Sequence, residues 1–383
     1  MNNSFESARL TLLGSYLFCL IFSRISIYTL IGSCAIMKFP KLMKSLDRKF
    51  GKLRKKSSFL NKCYNHLSDI NVEHSFHSAK YKAEIKHASQ QAIEQLLAPT
   101  KQASVSSECP KIIWMYWHSG FDNAPEVTKL AVKSWQAMNP DYDVRLLNNE
   151  NIHEYVDVDF DMVFRNTSVR CLLPIKADIL RLYLLSRFGG VWVDATTFCM
   201  QPLNDWLPQA LEPCGVFNFK QKNNPTRPIE VWFLAAPQGS PVINDILTQY
   251  IEYLNKPREL TLFISGKVPL LNKVLTEEEQ HRPLGAEISE RAEKFGFMPY
   301  FSMAYFSFEA IRRHLSEQQV AMYLRQDEPN AMTNRYALTK DPFSEFENAY
   351  VSKQTYVESY LKSDLFAQRK AVLMQRLQQI ENQ

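Results

Sequence analysis

A chain of 383 residues has room for one large α/β domain with appendages, or for two domains, and 45% apolar with 12% aromatic content excludes wholesale disorder. The net charge of +5 is misleading: residues 1–56 hold 11 basic and 2 acidic residues, while the rest hold 34 and 38, which excludes a basic nucleic-acid-binding domain. Seven scattered cysteines without a CxxC pair, and 11 glycines in neither a GxGxxG nor a P-loop pattern, argue against a zinc site, a disulfide framework and a dinucleotide fold.

Residues 10–37 are apolar over a length sufficient to span a bilayer, but Arg24 sits near the middle of the run. Nine basic residues between Lys38 and Lys56 follow at once, and such a cluster keeps the next segment on the cytoplasmic side and attracts anionic lipid. A single anchor and a start at Met37 with peripheral binding both agree with this pattern. A signal peptide does not, because its charge would precede the apolar stretch. An Ile-Gly-Ser-Cys34 sequence resembles a lipoprotein ending, although Arg24 interrupts the run leading to it.

Residues 57–108 are polar, with His66, His74, His77 and His87 read as surface decoration and a helix predicted over Ala79–Leu97. The apolar run Lys111–Trp117 after Pro110 reads as a buried strand. A helix is predicted over Pro125–Met138, stopped by Asn139-Pro140, and a strand over Tyr142–Leu147. Pro174–Phe188 is a strong helix with Pro in its first turn and Gly189-Gly190 at its end, followed by a short strand at Val191–Val193. Strands at Gly215–Phe219 and Val231–Ala236, then helices at Pro241–Leu254 and Val357–Ile380, complete the reading. Alternating strands and helices predict an α/β domain with a mostly parallel central sheet.

The stretch with chemical content is Ile175–Thr196. Asp178 and Arg181 stand three apart on one helix face, with Leu180, Leu184 and Leu185 available for the core. The Gly-Gly turn feeds a strand from whose C-terminal end Asp194 emerges, and strand C-termini border the ligand crevice in open α/β sheets. One acid able to hold a metal, a fixed guanidinium and a second acid for hydroxyls suit a sugar–diphosphate ligand. Taken alone, a mid-helix Asp/Arg pair is an ordinary ion pair; the strand and acid that follow give it meaning. Trp114 and Trp192 read as core, and Trp117 as either core or a stacking surface. Arg170 and Lys176 are expected at the surface, His118 is read as structural or surface with a phosphate contact as its alternative, and Asn218, Glu230 and Trp232 are candidates for an acceptor side.

Ala177-Asp178-Ile179-Leu180-Arg181 followed by Phe188-Gly189-Gly190-Val191-Trp192-Val193-Asp194 resembles the donor-site signature of DXD-containing sugar transferases with a GT-A fold. This is the group of yeast-type α-mannosyltransferases and glucosylating-toxin catalytic domains. The Asp-Ala-Thr ending and the Pro110–Trp117 opening resemble more closely the bacterial capsular polysaccharide synthesis protein family, over roughly residues 110–255. The resemblance implies a GT-A type nucleotide-sugar-binding domain that transfers a sugar, with retention, from a nucleotide sugar, UDP-linked in the first instance. The acceptor would be a saccharide or lipid-linked saccharide of capsule or lipopolysaccharide assembly, at the cytoplasmic face of the inner membrane. It implies that Asp178 bonds donor hydroxyls, Arg181 contacts phosphates or sugar, Trp117 stacks on the base, and Asp194 binds a divalent cation, Mn²⁺ or Mg²⁺. No nucleophile or general base is identified.

One departure bears on the metal. Thr196 stands where DXD has its second acid, so the ion would rest on Asp194, phosphates and water, or on an acid from a distant, unidentified residue. Two rivals remain: a sugar-phosphate transferase using the same diphosphate site, and an inactive membrane-bound assembly partner. The chain is thus divided into a membrane-associating tail (1–56), a helical extension (57–108), a GT-A-like domain (109–345) and a C-terminal helical segment (346–383).

Overall fold

The computed structural model describes residues 57, 59, 61, 78–98, 108–171, 173–221, 224–324 and 343–382. The chain divides into two compact units, Met1–Tyr64 and Asn65–Gln383. In the first, the Asn61 amide donates to the Ser57 carbonyl at 3.1 Å. The apolar segment and basic cluster of residues 1–56, and His66, His74 and His77, lie outside the described residues. Among the described residues no helix is long and apolar enough to cross a membrane.

In the second unit the elements run α1 (Ala79–Leu97), β1 (Ile112–Tyr116), α2 (Glu126–Met138), β2 (Asp143–Leu147), α3 (Leu173–Phe188), β3 (Gly190–Val193) and β4 (Thr197–Cys199). They continue with β5 (Phe217–Lys220), β6 (Ile229–Ala236), α4 (Pro241–Asn255), β7 (Phe263–Ser265), β8 (Phe297–Pro299), α5 (Ser302–His314), β9 (Val351–Lys353) and α6 (Asp364–Glu381), with short helical turns between.

The central sheet has the order β2-β1-β3-β6-β5. Period-two alternation in its strands supplies two cores. Trp114, Trp192, Leu234 and Ala236 face one way, where they join buried residues of α3, α4 and α5. Ile113, Met115, Val191, Val193, Phe233 and Ala235 face the other way, toward α2 and α6. A sheet covered on both faces explains why its strands read as continuous apolar runs. Leu180, Leu184 and Leu185 are buried, as expected of the α3 stripe. Trp114 and Trp192 are core residues too, and the Trp114 indole donates to the Gly189 carbonyl at 2.9 Å.

The expectation of a mostly parallel sheet needs correcting. β1 runs parallel to β2 and β3, but β6 is antiparallel to both β3 and β5. The connection between β5 and β6 is too short for the crossover of a dozen or more residues that parallel pairing requires, so the chain folds back as a hairpin and lays β6 against β3. The sheet is mixed.

The C-terminal helix also differs from its prediction. A single helical turn at Glu358–Leu361 precedes Ser363, whose hydroxyl caps α6 by accepting from the Phe366 amide at 3.2 Å. Before it, β9 pairs antiparallel with β4, with Lys353 opposite Thr197. Residues beyond the expected boundary at 345 therefore complete a small sheet begun by the body.

Candidate active site

The site is built where α3, β3 and β9 meet. Gly189 ends α3 with φ +68°, its amide donating to Leu185 at 3.0 Å, so the chain reverses directly into β3. Pairing of β3 with β6 continues one residue past the strand, where the Asp194 amide donates to the Trp232 carbonyl at 2.9 Å. A tight turn follows: the Thr197 amide and hydroxyl both donate to the Asp194 carbonyl, at 3.0 and 2.8 Å. Asp194 is thus fixed by backbone on both sides before its carboxylate contacts anything.

Arg181 joins the two predicted acids. One terminal nitrogen of its guanidinium is 3.1 Å from Asp178 Oδ1 and the other donates to Asp194 Oδ1 at 3.0 Å. Its Cζ lies 5.0 Å from the centroid of the Trp192 ring, and the Trp192 indole also donates to Asp194 Oδ1, at 3.2 Å. The residue is only 4% exposed; one terminal nitrogen also donates to the Met303 sulfur at 3.4 Å, and its buried Nε has no hydrogen-bond partner among the described residues. Its geometry makes Arg181 the residue that orients Asp194.

The second cation comes from outside the motif. Lys353, on β9, donates from Nζ to Asp194 Oδ2 at 2.6 Å and to the Thr196 hydroxyl at 3.0 Å. The Gln354 amide donates to the Thr196 carbonyl at 2.8 Å, so backbone as well as side chain ties this segment to the Asp194–Thr197 turn. Burial works against the Asp194 charge, yet Lys353 and Arg181 outweigh it and hold its carboxyl below the ordinary range.

Trp117, half-buried at the end of β1, has no hydrogen bond to these four residues among those described. Its amide donates to Leu147, and its ring meets Tyr356 edge-on at 5.5 Å. Tyr356 is exposed and lies three residues after Lys353, so one C-terminal strap borders both Trp117 and Asp194. Of the other candidates, Asn218 is committed to structure: its amide donates to the Glu230 carbonyl and its oxygen accepts from Tyr323. The Glu230 carboxylate accepts from Gln221 at 2.5 Å, and Trp232 stacks on Phe219. Lys176 pairs with Asp161 at the surface, as expected. Among the described residues no group of three acids, histidines or cysteines is arranged to hold a metal ion.

Asp178 is 8% exposed. Desolvation pushes its carboxyl up to about 7; Arg181 pulls it down and the Asp194 charge adds to the rise. A carboxyl raised from 3.8 on folding stabilises the native state fully below pH 3.8, and that contribution is lost as the pH climbs to about 7. Asp178→Asn cannot ionise. Its stability relative to the wild type is therefore expected to rise by on the order of 4 kcal/mol between pH 4 and pH 8, read by urea unfolding at each pH. A constant difference across that range would contradict the assignment.

Residues 61–265 match the family described as Capsular polysaccharide synthesis protein. The chain belongs to that family. Curated relatives of the chain include the O-glycosyltransferase braB of Annulohypoxylon truncatum, 30% identical over 179 residues that cover 42% of this chain and 41% of the relative. The initiation-specific alpha-1,6-mannosyltransferase of Saccharomyces cerevisiae is 26% identical over 151 residues, 38% of this chain and 30% of that one. The solved PaToxG Glycosyltransferase overlays loosely, at 13% identity and TM-score 0.26, covering 64% of this chain and 96% of its own. The chain spans about two fifths or less of the length of these curated relatives. The family match ends at residue 265, so Lys353 lies beyond it.

Proposed function

We propose that this chain is a glycosyltransferase that moves a sugar from a nucleotide sugar to a saccharide or lipid-linked saccharide acceptor. The observation that carries the reading is the buried Arg181 shared between Asp178 and Asp194 at the C-terminal end of β3. A glycosidic bond to a diphosphate breaks with negative charge developing on the leaving phosphate, and fixed cations in a water-poor site stabilise that charge without reorganising. The names of the relatives, glycosyltransferase and mannosyltransferase, point the same way.

In finer detail, the donor is UDP-linked by resemblance of the motif, while the mannosyltransferase relatives make GDP-linked sugars the necessary comparison. The family description favours surface-polysaccharide assembly, and retention of configuration follows the motif's resemblance. The basic excess of residues 1–56 would bring the enzyme to the cytoplasmic face of a membrane, where lipid-linked acceptors are found.

The test is a panel of UDP- and GDP-sugars, scored for slow donor hydrolysis and for transfer to saccharide acceptors by the full chain. At least one donor is expected to be turned over, and Asp194→Ala is expected to abolish turnover while leaving the circular dichroism spectrum unchanged. Full activity in that variant, or no turnover of any donor, would sink the reading.

A further inference from the structure

The motif leads one to expect a divalent ion on Asp194, and the donor set around it does not fit one. Both carboxylate oxygens are already engaged, Oδ1 by Arg181 and Trp192, Oδ2 by Lys353. The only other side chain of the Asp-Ala-Thr turn able to ligate is the neutral Thr196 hydroxyl, which accepts from the same ammonium. Magnesium in particular requires near-octahedral oxygen coordination, and any divalent ion seated on Oδ2 would meet a full positive charge at contact distance. We infer that the ammonium of Lys353 takes the place of the divalent ion, so that this chain binds its donor diphosphate without a metal. The inference rests on the glycosyltransferase reading above.

Three features make Lys353 a built cation rather than a side chain in passing. Its backbone is registered opposite Thr197 in the β4–β9 ladder, and the next residue, Gln354, bonds the Thr196 carbonyl. Gln354 is itself anchored, its side-chain nitrogen donating to the Ser352 hydroxyl at 2.7 Å and its oxygen accepting from Tyr360. The ammonium has three protons and spends two, on Asp194 and Thr196, leaving one for a phosphate oxygen. The side chain is 16% exposed against 4% for Arg181, so of the two cations on Asp194 it is the one with a solvent-facing approach. Lysine binds phosphate as a point charge, with none of the planar geometry that Arg181 has already committed elsewhere.

The experiment measures binding of UDP and of GDP to the full chain by calorimetry, in EDTA and again in excess Mn²⁺ or Mg²⁺. The expected result is a dissociation constant in EDTA that either metal leaves essentially unchanged. Lys353→Met is expected to weaken nucleotide binding in EDTA by about tenfold or more, and Lys353→Arg, which keeps the charge, to recover most of it. Thermal unfolding of both variants shows whether the strap still folds, and the Arg variant keeps the test decisive if the Met variant does not. Tightening of wild-type binding by about tenfold or more on adding metal would overturn the Lys353 assignment and leave the glycosyltransferase reading standing. Unchanged binding by a folded Lys353→Met would overturn it as well. Absence of nucleotide binding under every condition would remove the functional reading, and this inference with it.

Discussion

Arg181→Ala is expected to lower sugar transfer by roughly 10²-fold, the loss that follows when a positioning residue is removed and the group it orients, here Asp194, is misplaced. The same change should cost about 3–5 kcal/mol of stability, because it strands buried acids that the guanidinium held. At 4% exposure, with Asp178 on one terminal nitrogen and Asp194 on the other, the residue cannot leave without uncovering both carboxylates. The two losses have different causes and separate in a double variant. Asp178→Asn with Arg181→Ala removes one of the stranded carboxyls, so part of the stability should return at alkaline pH, where that buried group would be forced to ionise. Transfer should not return, because Asp194 still lacks the group that orients it. Because Arg181 acts through Asp194, the kinetic loss should fall on kcat more than on KM. Unfolding curves and initial rates on the single and double variants read both quantities. A single variant that keeps transfer within about tenfold of wild type would show that Asp194 holds its position without Arg181.

What is legible in the sequence is what is local. The α3–Gly-Gly–β3–Asp194 unit is contiguous, and its helix, turn and strand each carry their own residue signature, so Asp178, Arg181 and Asp194 stand out from the amino-acid pattern alone. The polarity of the sheet is not legible. Antiparallel pairing of β6 depends on a hairpin whose apolar strands look the same in either direction. Lys353 is out of reach for a different reason. It lies 159 residues from Asp194 on a three-residue strand, too short to show a period, and just ahead of a segment whose pattern speaks only for a helix. One signal points toward it. Thr196 in place of an acid says that the motif's charge balance is completed elsewhere, and a distant acid is the expected remedy. The structure supplies a base instead. Trp192 carries a second surprise: it is core, as predicted, yet its indole N–H also fixes Asp194, a double use that burial patterns cannot reveal.

The Gly-Gly pair reads as a turn, but Gly190 is the first residue of β3, and Gly190→Ala is expected to be among the most damaging single substitutions in the chain. Gly190 holds φ +97°, and a Cβ there would stand 2.6 Å from the Ile112 carbonyl oxygen and 3.2 Å from the Ile112 Cβ. Neither neighbour can yield cheaply. Ile112 belongs to β1, whose backbone is locked between β2 and β3 inside the sheet. Backbone strain of about 1–3 kcal/mol and forced repacking of about 1–3 kcal/mol then add, for a loss on the order of 4 kcal/mol. Gly215→Ala isolates the first contribution. Gly215 has φ +66° but nothing within 4 Å of the added carbon, so only conformational strain applies and about 1–2 kcal/mol is expected. The difference between the two variants, measured by urea unfolding, therefore reports the close approach of β3 to β1 rather than the general cost of a left-handed alanine. That approach also sets the site. Pushing β3 away from β1 moves the strand end that carries Asp194 relative to the helix carrying Arg181, so the folded fraction of Gly190→Ala should have lost transfer, while Gly215→Ala keeps it. Equal destabilisation by the two substitutions would mean that β1 and β3 have slack between them, and that the glycine pair serves only the turn.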